Sequence, residues 1–358
     1  MSAAPSQTAP ADAARPWAKA ERILVIRLGA LGDVIRTRFA FEALRGLFPA
    51  ASIDWLVEDR AVGGLVGITG LNRVIELPRN DLSLSNPLQL IRTLLRVTRE
   101  IRAHDYQLSV DFHSILKSAA IAYLSRIPCR VGYGPMYARD GAHLLMSYGV
   151  DPASDHLSRF DRNAALVRFL GGSGSAGPPP LALEHSGLER VELPEGFCVL
   201  HPGTSASTRY KRWPAVRFAE VAKRIHERHG LPALVTYGPV AGEREAAEAV
   251  VRLAGDAAAL APSTDSLEAM LALLRRARLF IGADSGPLHL ASLAGCPPVA
   301  VFGPTDPVEN APAPGVPSRV VRVDVGCNPC REGCPARTCL AAVEPDAVVE
   351  AASELLIA

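Results

Sequence analysis

Lysine is scarce in this chain of 358 residues: Lys19, Lys117, Lys211 and Lys223 are the only four among 38 basic side chains. That bias toward arginine reads as genome composition and carries little chemistry. Long apolar runs are missing too. No stretch of about 18 uninterrupted apolar residues occurs, which excludes a membrane-spanning helix of ordinary length. The first twenty residues are rich in Ala, Pro and Ser and lack the apolar stretch of a signal peptide, so 1–20 read as a disordered lead-in and the chain is expected in the cytoplasm. Charge of either sign is not in excess, the net being +1, and nucleic acid is not expected as a partner. No Asp-x-Asp pair occurs anywhere, so a metal clamp is not indicated, and no cofactor is expected.

What is present describes a globular protein, with 48% apolar and 21% charged residues. The length fits two domains of roughly 150 to 180 residues each. Short apolar runs alternate with longer amphipathic ones, the pattern of parallel sheets covered by helices. Strands are expected at Ile23–Ile26, Ile53–Val57, Val74–Leu77 and Leu108–Val110. The Gly, Ser and Pro cluster from Gly171 to Pro180 breaks the pattern as a linker. It restarts with strands Phe197–Leu200, Ala233–Thr236, Leu279–Ile281 and Val299–Phe302, and helices Pro214–Arg228, Gly242–Leu253 and Leu267–Arg276. Two doubly wound α/β domains are expected, 21–180 and 181–358, facing across a cleft. Charge divides unevenly along the chain, +4 through His185 and −3 after it, so the front half leans toward an anionic partner.

Ligands of such sheets bind beyond the carboxyl ends of the strands, and three motifs fall there. The first is Gly29-Ala30-Leu31-Gly32-Asp33, a turn into a helix. Its glycine spacing does not match the dinucleotide fingerprint, which speaks against a nicotinamide cofactor. Two readings of Asp33 stand: a helix cap, or a base that takes a proton from a bound hydroxyl. The second motif is "HPGTSASTRYKRWP", His201 to Pro214. Its hydroxyls and its Lys211-Arg212 pair suit a diphosphate, and the alternative is a surface turn with incidental charge. The third runs from Ile281 to Pro307 and sets Asp284, Ser285 and Gly286 at a helix N-terminus, with His289 on the first turn, an arrangement suited to a sugar nucleotide. Ser285 lacks the Gly-x-Ser-x-Gly elbow of a hydrolase nucleophile.

With these three motifs in this order, the chain from Arg22 onward resembles glycosyltransferase family 9, the heptosyltransferases of the lipopolysaccharide inner core. The resemblance implies a GT-B fold with two Rossmann-like domains, the acceptor on the first and the ADP-activated sugar mainly on the second. It implies transfer of a heptose from ADP-heptose to a lipid-linked, anionic inner-core acceptor, inverting and without a metal, with peripheral contact at the inner face of the inner membrane. Carried over by motif, Asp33 beside Gly32 matches the catalytic aspartate, and Lys211 the diphosphate-binding lysine. Asp284, Ser285, Gly286 and His289 match the donor motif, and Thr204 with Ser205 the phosphate-contacting hydroxyls. The family continues Gly-Asp-x-x-His-Thr-x-Pro, where this chain has Arg36-Thr37-Arg38-Phe39. Arg36 is therefore a candidate for orienting the acceptor, while Arg38 and Arg45, seven apart on one helix face, read as solvated.

Cys327, Cys330, Cys334 and Cys339 fall within the segment 327–339. A reduced structural loop, a metal site and a redox-active disulfide all remain open for them, with a metal not favoured because structural zinc pairs are usually farther apart. Cys129, Cys198 and Cys296 read as buried thiols. Two other functions fit the same architecture: a GT-B type sugar-nucleotide epimerase, and a non-catalytic nucleotide-sugar-binding module. The module has no need of a carboxylate at Asp33.

Overall fold

Ile23, Leu24, Val25 and Ile26 of strand β1 (Arg22–Ile26) are all buried, because a parallel strand covered by helices on both sheet faces has no solvent side. Ile23 and Val25 pack into one apolar cluster, Leu24 and Ile26 into another, as the two-residue period of a strand requires. The protein is seen in a computed structural model that describes residues 15–82, 86–174, 177–184, 186–330 and 333–357. The chain forms two compact units that part between residues 175 and 176.

The first unit continues with α1 (Leu31–Leu47), β2 (Ser52–Glu58), β3 (Arg73–Leu77), α2 (Pro87–Arg102), β4 (Leu108–Asp111), α3 (Leu116–Leu124), β5 (Cys129–Tyr133), β6 (Tyr148–Val150) and α4 (Arg159–Leu170). Its sheet has the order β3-β2-β1-β4-β5-β6, parallel throughout. The order turns back between β1 and β4. Phe41 and Leu44 of α1 and Leu166 and Val167 of α4 fill one face, and Val97 and Ile101 of α2 with Ile121 of α3 fill the other.

The second unit comprises β7 (Cys198–His201), α5 (Ala215–His229), β8 (Ala233–Val235), α6 (Glu243–Ala254), β9 (Ala258–Leu260), α7 (Leu267–Arg276), β10 (Leu279–Ala283), α8 (Gly286–Ala294), β11 (Pro298–Phe302), β12 (Arg319–Arg322), α9 (Thr338–Ala341) and α10 (Pro345–Ile357). Its parallel sheet, β12-β11-β10-β7-β8-β9, turns back between β7 and β10. Each unit is thus Rossmann-like and has one switch point.

Four of the strands were not expected from the sequence: β5, β6, β9 and β12. β6, β9 and β12 are sheet edges, short or half exposed, where the apolar run that marks a central strand is diluted; β5 lies inside its sheet, and Arg130 and Gly132 interrupt its apolar run. The lead-in also needs correction. Its residues 1–14 lie outside the described residues, but Trp17 is buried, packs against Tyr148 and Phe169, and donates Nε1–H to the Leu170 carbonyl at 3.1 Å. One large aromatic anchors 15–20 to the fold despite the polar composition around it. Of the linker 171–180, residues 175–176 lie outside the described residues.

Candidate active site

Asp33 is the third residue of α1, whose cap residue is Ala30, without a side-chain cap bond among the described residues. The Asp33 amide donates to the Ala30 carbonyl at 2.9 Å. The capping reading of Asp33 fails, because a cap side chain stands ahead of the first turn and Asp33 stands within it. Three arginines grip the carboxylate instead. Arg27, just past β1, donates to Oδ2 at 2.5 Å, while Arg36 and Arg159, the first residue of α4, donate to Oδ1 at 2.8 and 2.7 Å. Burial alone would raise this carboxyl's pKa, but the three guanidiniums outweigh it and hold the group ionised well below the usual carboxylate range. The two oxygens are unequally occupied. Oδ1 takes two donors and Oδ2 takes Arg27 alone among the described residues, which leaves a lone pair of Oδ2 for a further donor.

Gly32 is the second residue of α1, next to this cluster. Arg36 is buried against Asp33 and does not extend into solvent. The expected solvated face of Arg38 and Arg45 is not there. Arg38 is buried and donates to the Gly64 and Val66 carbonyls at 3.1 and 2.8 Å, and Arg45 donates to the Phe48 and Ala51 carbonyls. The chain around Asp59–Leu65 lies over α1, so Arg38 meets its carbonyls, while Arg45 folds onto the turn that follows α1, where the helix pattern alone leads one to expect water.

At the same sheet edge, Asp111 ends β4 and its Oδ1 accepts from the amides of His113 and Ser114 at 2.9 and 2.8 Å. Burial pushes the Asp111 carboxyl up to about 6 and the His113 imidazole down to about 3, the latter with help from Arg27. Glu58, which ends β2, accepts from Lys117 at 2.7 Å and from Arg60 at 3.1 Å.

In the second unit Lys211 and Asp284 come together at the β7–β10 switch point, with Nζ 2.8 Å from Oδ2. Asp284 is buried. Ser285 follows as the N-cap residue of α8, makes no side-chain cap bond, and its buried Oγ has no hydrogen-bond partner among the described residues. Gly286 opens α8 and His289, its fourth residue, is buried. The Oγ1 of Thr305, in the loop after the neighbouring strand β11, is likewise buried without a partner among the described residues. An ammonium, two uncommitted hydroxyls and a helix N-terminus in adjacent strand-end loops are suited to an anionic group.

Thr204 and Ser205 divide. Thr204 is buried and committed to its own turn, donating to the Thr208 carbonyl at 2.9 Å and accepting from Arg212 Nε at 3.3 Å. Ser205 is exposed, its Oγ 2.7 Å from Thr208 Oγ1. Arg212 Nη2 also lies 3.6 Å from the buried carboxylate of Glu243, which accepts from the Gly238 amide at 2.7 Å. A Cβ on Gly203 would stand 2.7 Å from the Glu243 carboxyl carbon, so the glycine of the His-Pro-Gly-Thr turn admits that side chain. Burial raises the Glu243 pKa against the pull of the Gly238 amide and Arg212.

The four-cysteine segment braces these loops, with residues 331 and 332 outside the described residues. The Cys330 amide donates to the Pro304 carbonyl at 2.6 Å, Asn328 Nδ2 to the Gly303 carbonyl at 3.1 Å, and Gly333 packs on the Tyr210 ring. All four thiols are unbridged, and among the described residues no three His, Cys, Asp or Glu side chains are grouped to hold a metal. Cys129, Cys198 and Cys296 are buried free thiols.

Arg27, Arg159 and Glu243 were not singled out by sequence, and Arg212, expected beside Lys211 at a diphosphate, is turned to Thr204 and Glu243. Arg27 had a signal, standing between β1 and the Gly-x-x-Gly-Asp turn. Arg159 had none, since 126 residues separate it from Asp33 and only the sheet order brings α4 beside α1.

Residues 94–339 match glycosyltransferase family 9 (heptosyltransferase), a span that holds Lys211 and the Asp284–His289 motif and begins beyond Asp33. The chain is 29% identical over 304 residues to lipopolysaccharide heptosyltransferase 1 of Pseudomonas aeruginosa, covering 80% of this chain and 79% of that one. Its fold is similar to the crystal structure of a family 9 glycosyltransferase from Veillonella parvula, with TM-score 0.76 at 22% identity, over 94% of this chain and 97% of that one. It is also similar to E. coli heptosyltransferase WaaC with ADP-2-deoxy-2-fluoro heptose, with TM-score 0.71 at 21% identity, over 93% and 99%. These likenesses and the two parallel six-stranded sheets give the GT-B fold. With most of its length matched, the chain belongs to glycosyltransferase family 9 (heptosyltransferase).

Proposed function

We propose that the protein moves a heptose from ADP-heptose to a lipid-linked, anionic lipopolysaccharide inner-core acceptor at the cytoplasmic face of the inner membrane, with inversion and without a metal ion. The first unit, 21–180, takes the acceptor and the second, 181–358, the donor. The observation that carries this reading is the Lys211–Asp284 pair beside the uncommitted hydroxyl of Ser285 at the N-terminus of α8. The relative named for lipopolysaccharide heptosyltransferase 1 and the fold neighbour holding an ADP-heptose analogue support the choice of sugar and nucleotide.

In this mechanism the acceptor hydroxyl donates to the open lone pair of Asp33 Oδ2. Its oxygen bonds to the anomeric carbon on the face opposite the diphosphate. The bond from that carbon to the diphosphate oxygen breaks, and its electron pair leaves with ADP. The hydroxyl proton passes to Asp33 late, when the attacking oxygen has become strongly acidic; a carboxylate so stabilised by three arginines is a poor base toward a neutral alcohol. Lys211 and the α8 N-terminus oppose the charge that grows on the leaving diphosphate. Arg27, Arg36 and Arg159 act by fixing the carboxylate.

Incubation with ADP-heptose and a deacylated core acceptor, followed by mass spectrometry and NMR of the new linkage, tests the reading. One added heptose with inverted configuration, unchanged by EDTA, is expected. Donor bound without product indicates a binding module, and an epimerised donor without transfer indicates an epimerase. Activity lost with EDTA and restored by magnesium rejects the metal-free mechanism.

A further inference from the structure

Among the described residues thirteen large apolar side chains are exposed, and six of them lie on α2 and α3. The two helices pack side by side over one face of the first sheet, and Arg102 Nε of α2 donates to the Leu124 carbonyl of α3 at 3.0 Å. On α2, Leu88, Ile91 and Leu95 are 69%, 53% and 46% exposed and form a row at helical spacing. This row does not serve the core, which α2 meets through Thr93, Val97, Thr98 and Ile101. Beside it runs a second row, Arg92, Arg96 and Arg99, all exposed and without an ion-pair partner among the described residues. Glu100 is the one acidic residue of α2, and it is engaged by Arg73 at 3.0 Å. Leu116, Tyr123 and Leu124 extend the apolar surface along α3, which has no acidic residue.

We propose that this face of α2 and α3 docks on an anionic phospholipid membrane surface, with the arginine row among the head groups and the apolar rows at the acyl boundary. The charge pattern selects this occupant. A second copy of the face would bring arginine row toward arginine row, which like-charge repulsion opposes. The fourteen residues ahead of Arg15 contain Met1 as their only large apolar side chain and offer little to cover it. The assignment rests on the proposed lipid-linked acceptor, since such a substrate keeps its enzyme at a bilayer.

The full chain is sedimented with vesicles of phosphatidylglycerol in phosphatidylcholine and with vesicles of phosphatidylcholine alone. Transfer to the deacylated, soluble acceptor is assayed in parallel. Two variants are compared, Ile91→Asp with Leu95→Asp, and Arg92→Gln with Arg96→Gln and Arg99→Gln, each checked for an unchanged melting temperature. The wild type is expected to partition about tenfold better onto the anionic vesicles and to come off as salt rises, and each variant to lose about tenfold in partitioning with its soluble-acceptor activity intact. Equal partitioning on both vesicles, no partitioning, or variants that bind like the wild type overturn the proposal. A wild-type dimer that the Ile91/Leu95 variant splits, with vesicle binding unaltered, overturns it in favour of self-association. If the aspartate variant misfolds, the glutamine variant, which changes only exposed charge, decides. Vesicle binding through α2 without any transfer rejects the proposed reaction and leaves the docking; transfer without vesicle binding does the reverse.

Discussion

Lys211 Nζ stands 2.8 Å from Asp284 Oδ2 across 73 residues of chain, each residue brought by a loop at the carboxyl end of one of two adjoining strands, β7 and β10. The aspartate is 4% exposed and the lysine 15%, so neither charge is well hydrated and each depends on the other. In the proposed mechanism Asp284 is a positioning residue, aiming the ammonium that is set against the leaving diphosphate.

Lys211→Ala is expected to lower turnover at saturating donor by roughly two orders of magnitude, because the charge it opposes grows in the transition state. It is also expected to destabilise the fold by about 3 kcal/mol, since Asp284 is left buried and unpaired. The double variant Lys211→Ala/Asp284→Asn separates the two effects. Melting should recover while turnover stays low. Recovery of both, or full turnover in the single variant, removes Lys211 from the chemistry.

Asp33→Asn is expected to fold, since no helix cap is lost, and to lower turnover by roughly two to four orders of magnitude. A stability loss of about 1 to 3 kcal/mol accompanies it, because Arg27 and Arg36 lose a charged acceptor in a largely buried cluster. Turnover within a few-fold of wild type shows that the carboxylate only ties α1 to α4.

The central strands were legible because burial on both faces writes continuous apolar runs, as in Phe280 and Ile281 of β10, and helices α5, α6 and α7 because their apolar residues recur at helical spacing. The edge strands β6 and β12 were not, because half-exposed residues such as Arg319 and Arg322 dilute the run. At the site, the motif residues stood in their expected loops, while their partners did not announce themselves. Asp33 was visible from Gly29 and Gly32 around it, but the clamp that sets its charge comes from Arg27 in plain sequence view and from Arg159 at the start of α4. Helical spacing alone leaves Arg38 in water, but the chain covering α1 buries it, and that cover is a tertiary fact.

Stability should fall as pH drops from about 6.5 to 4. Burial first, and Arg27 or Arg212 next, push His113 down to about 3 and His201 down to about 4 from the ordinary 6.5, so in this window the unfolded chain binds protons that the folded one does not. Asp111 opposes one of them. Burial raises its carboxyl from 3.8 to about 6, so between those values the folded state holds a proton that the unfolded state has lost. Burial also raises the Glu243 carboxyl, which opposes the histidines in the same sense, so the net slope is at most about one proton, or about 1.4 kcal/mol per pH unit. Asp33 contributes none of it, since its depressed carboxyl loses stability only below the ordinary 3.8. Urea unfolding at several pH values checks this, and Asp111→Asn should steepen the slope. A flat profile in the wild type contradicts the buried neutral histidines.

Arg36 replaces the histidine of the family pattern and donates to Asp33 Oδ1 at 2.8 Å, which gives it a positioning role for the carboxylate. Arg36→Ala is expected to lower kcat by about tenfold, the worth of one charge-assisted hydrogen bond, with the KM for an anionic acceptor changed by less than about threefold. Because one of the three guanidiniums that depress the Asp33 pKa is gone, the acid limb of the rate profile should move to higher pH. Arg36→His supplies a diagnostic rescue. An imidazolium can donate to the carboxylate below an ordinary histidine pKa of about 6.5 and carries no charge well above it, so activity should recover near pH 6 and fall back toward the alanine variant near pH 8. A contact that serves only the packing of α1 would lower the melting temperature and leave the pH profile in place. An unchanged kcat with a tenfold rise in KM, confined to acceptors that keep their carboxylate and phosphate groups, shows instead that Arg36 turns from Asp33 to read the acceptor's charge.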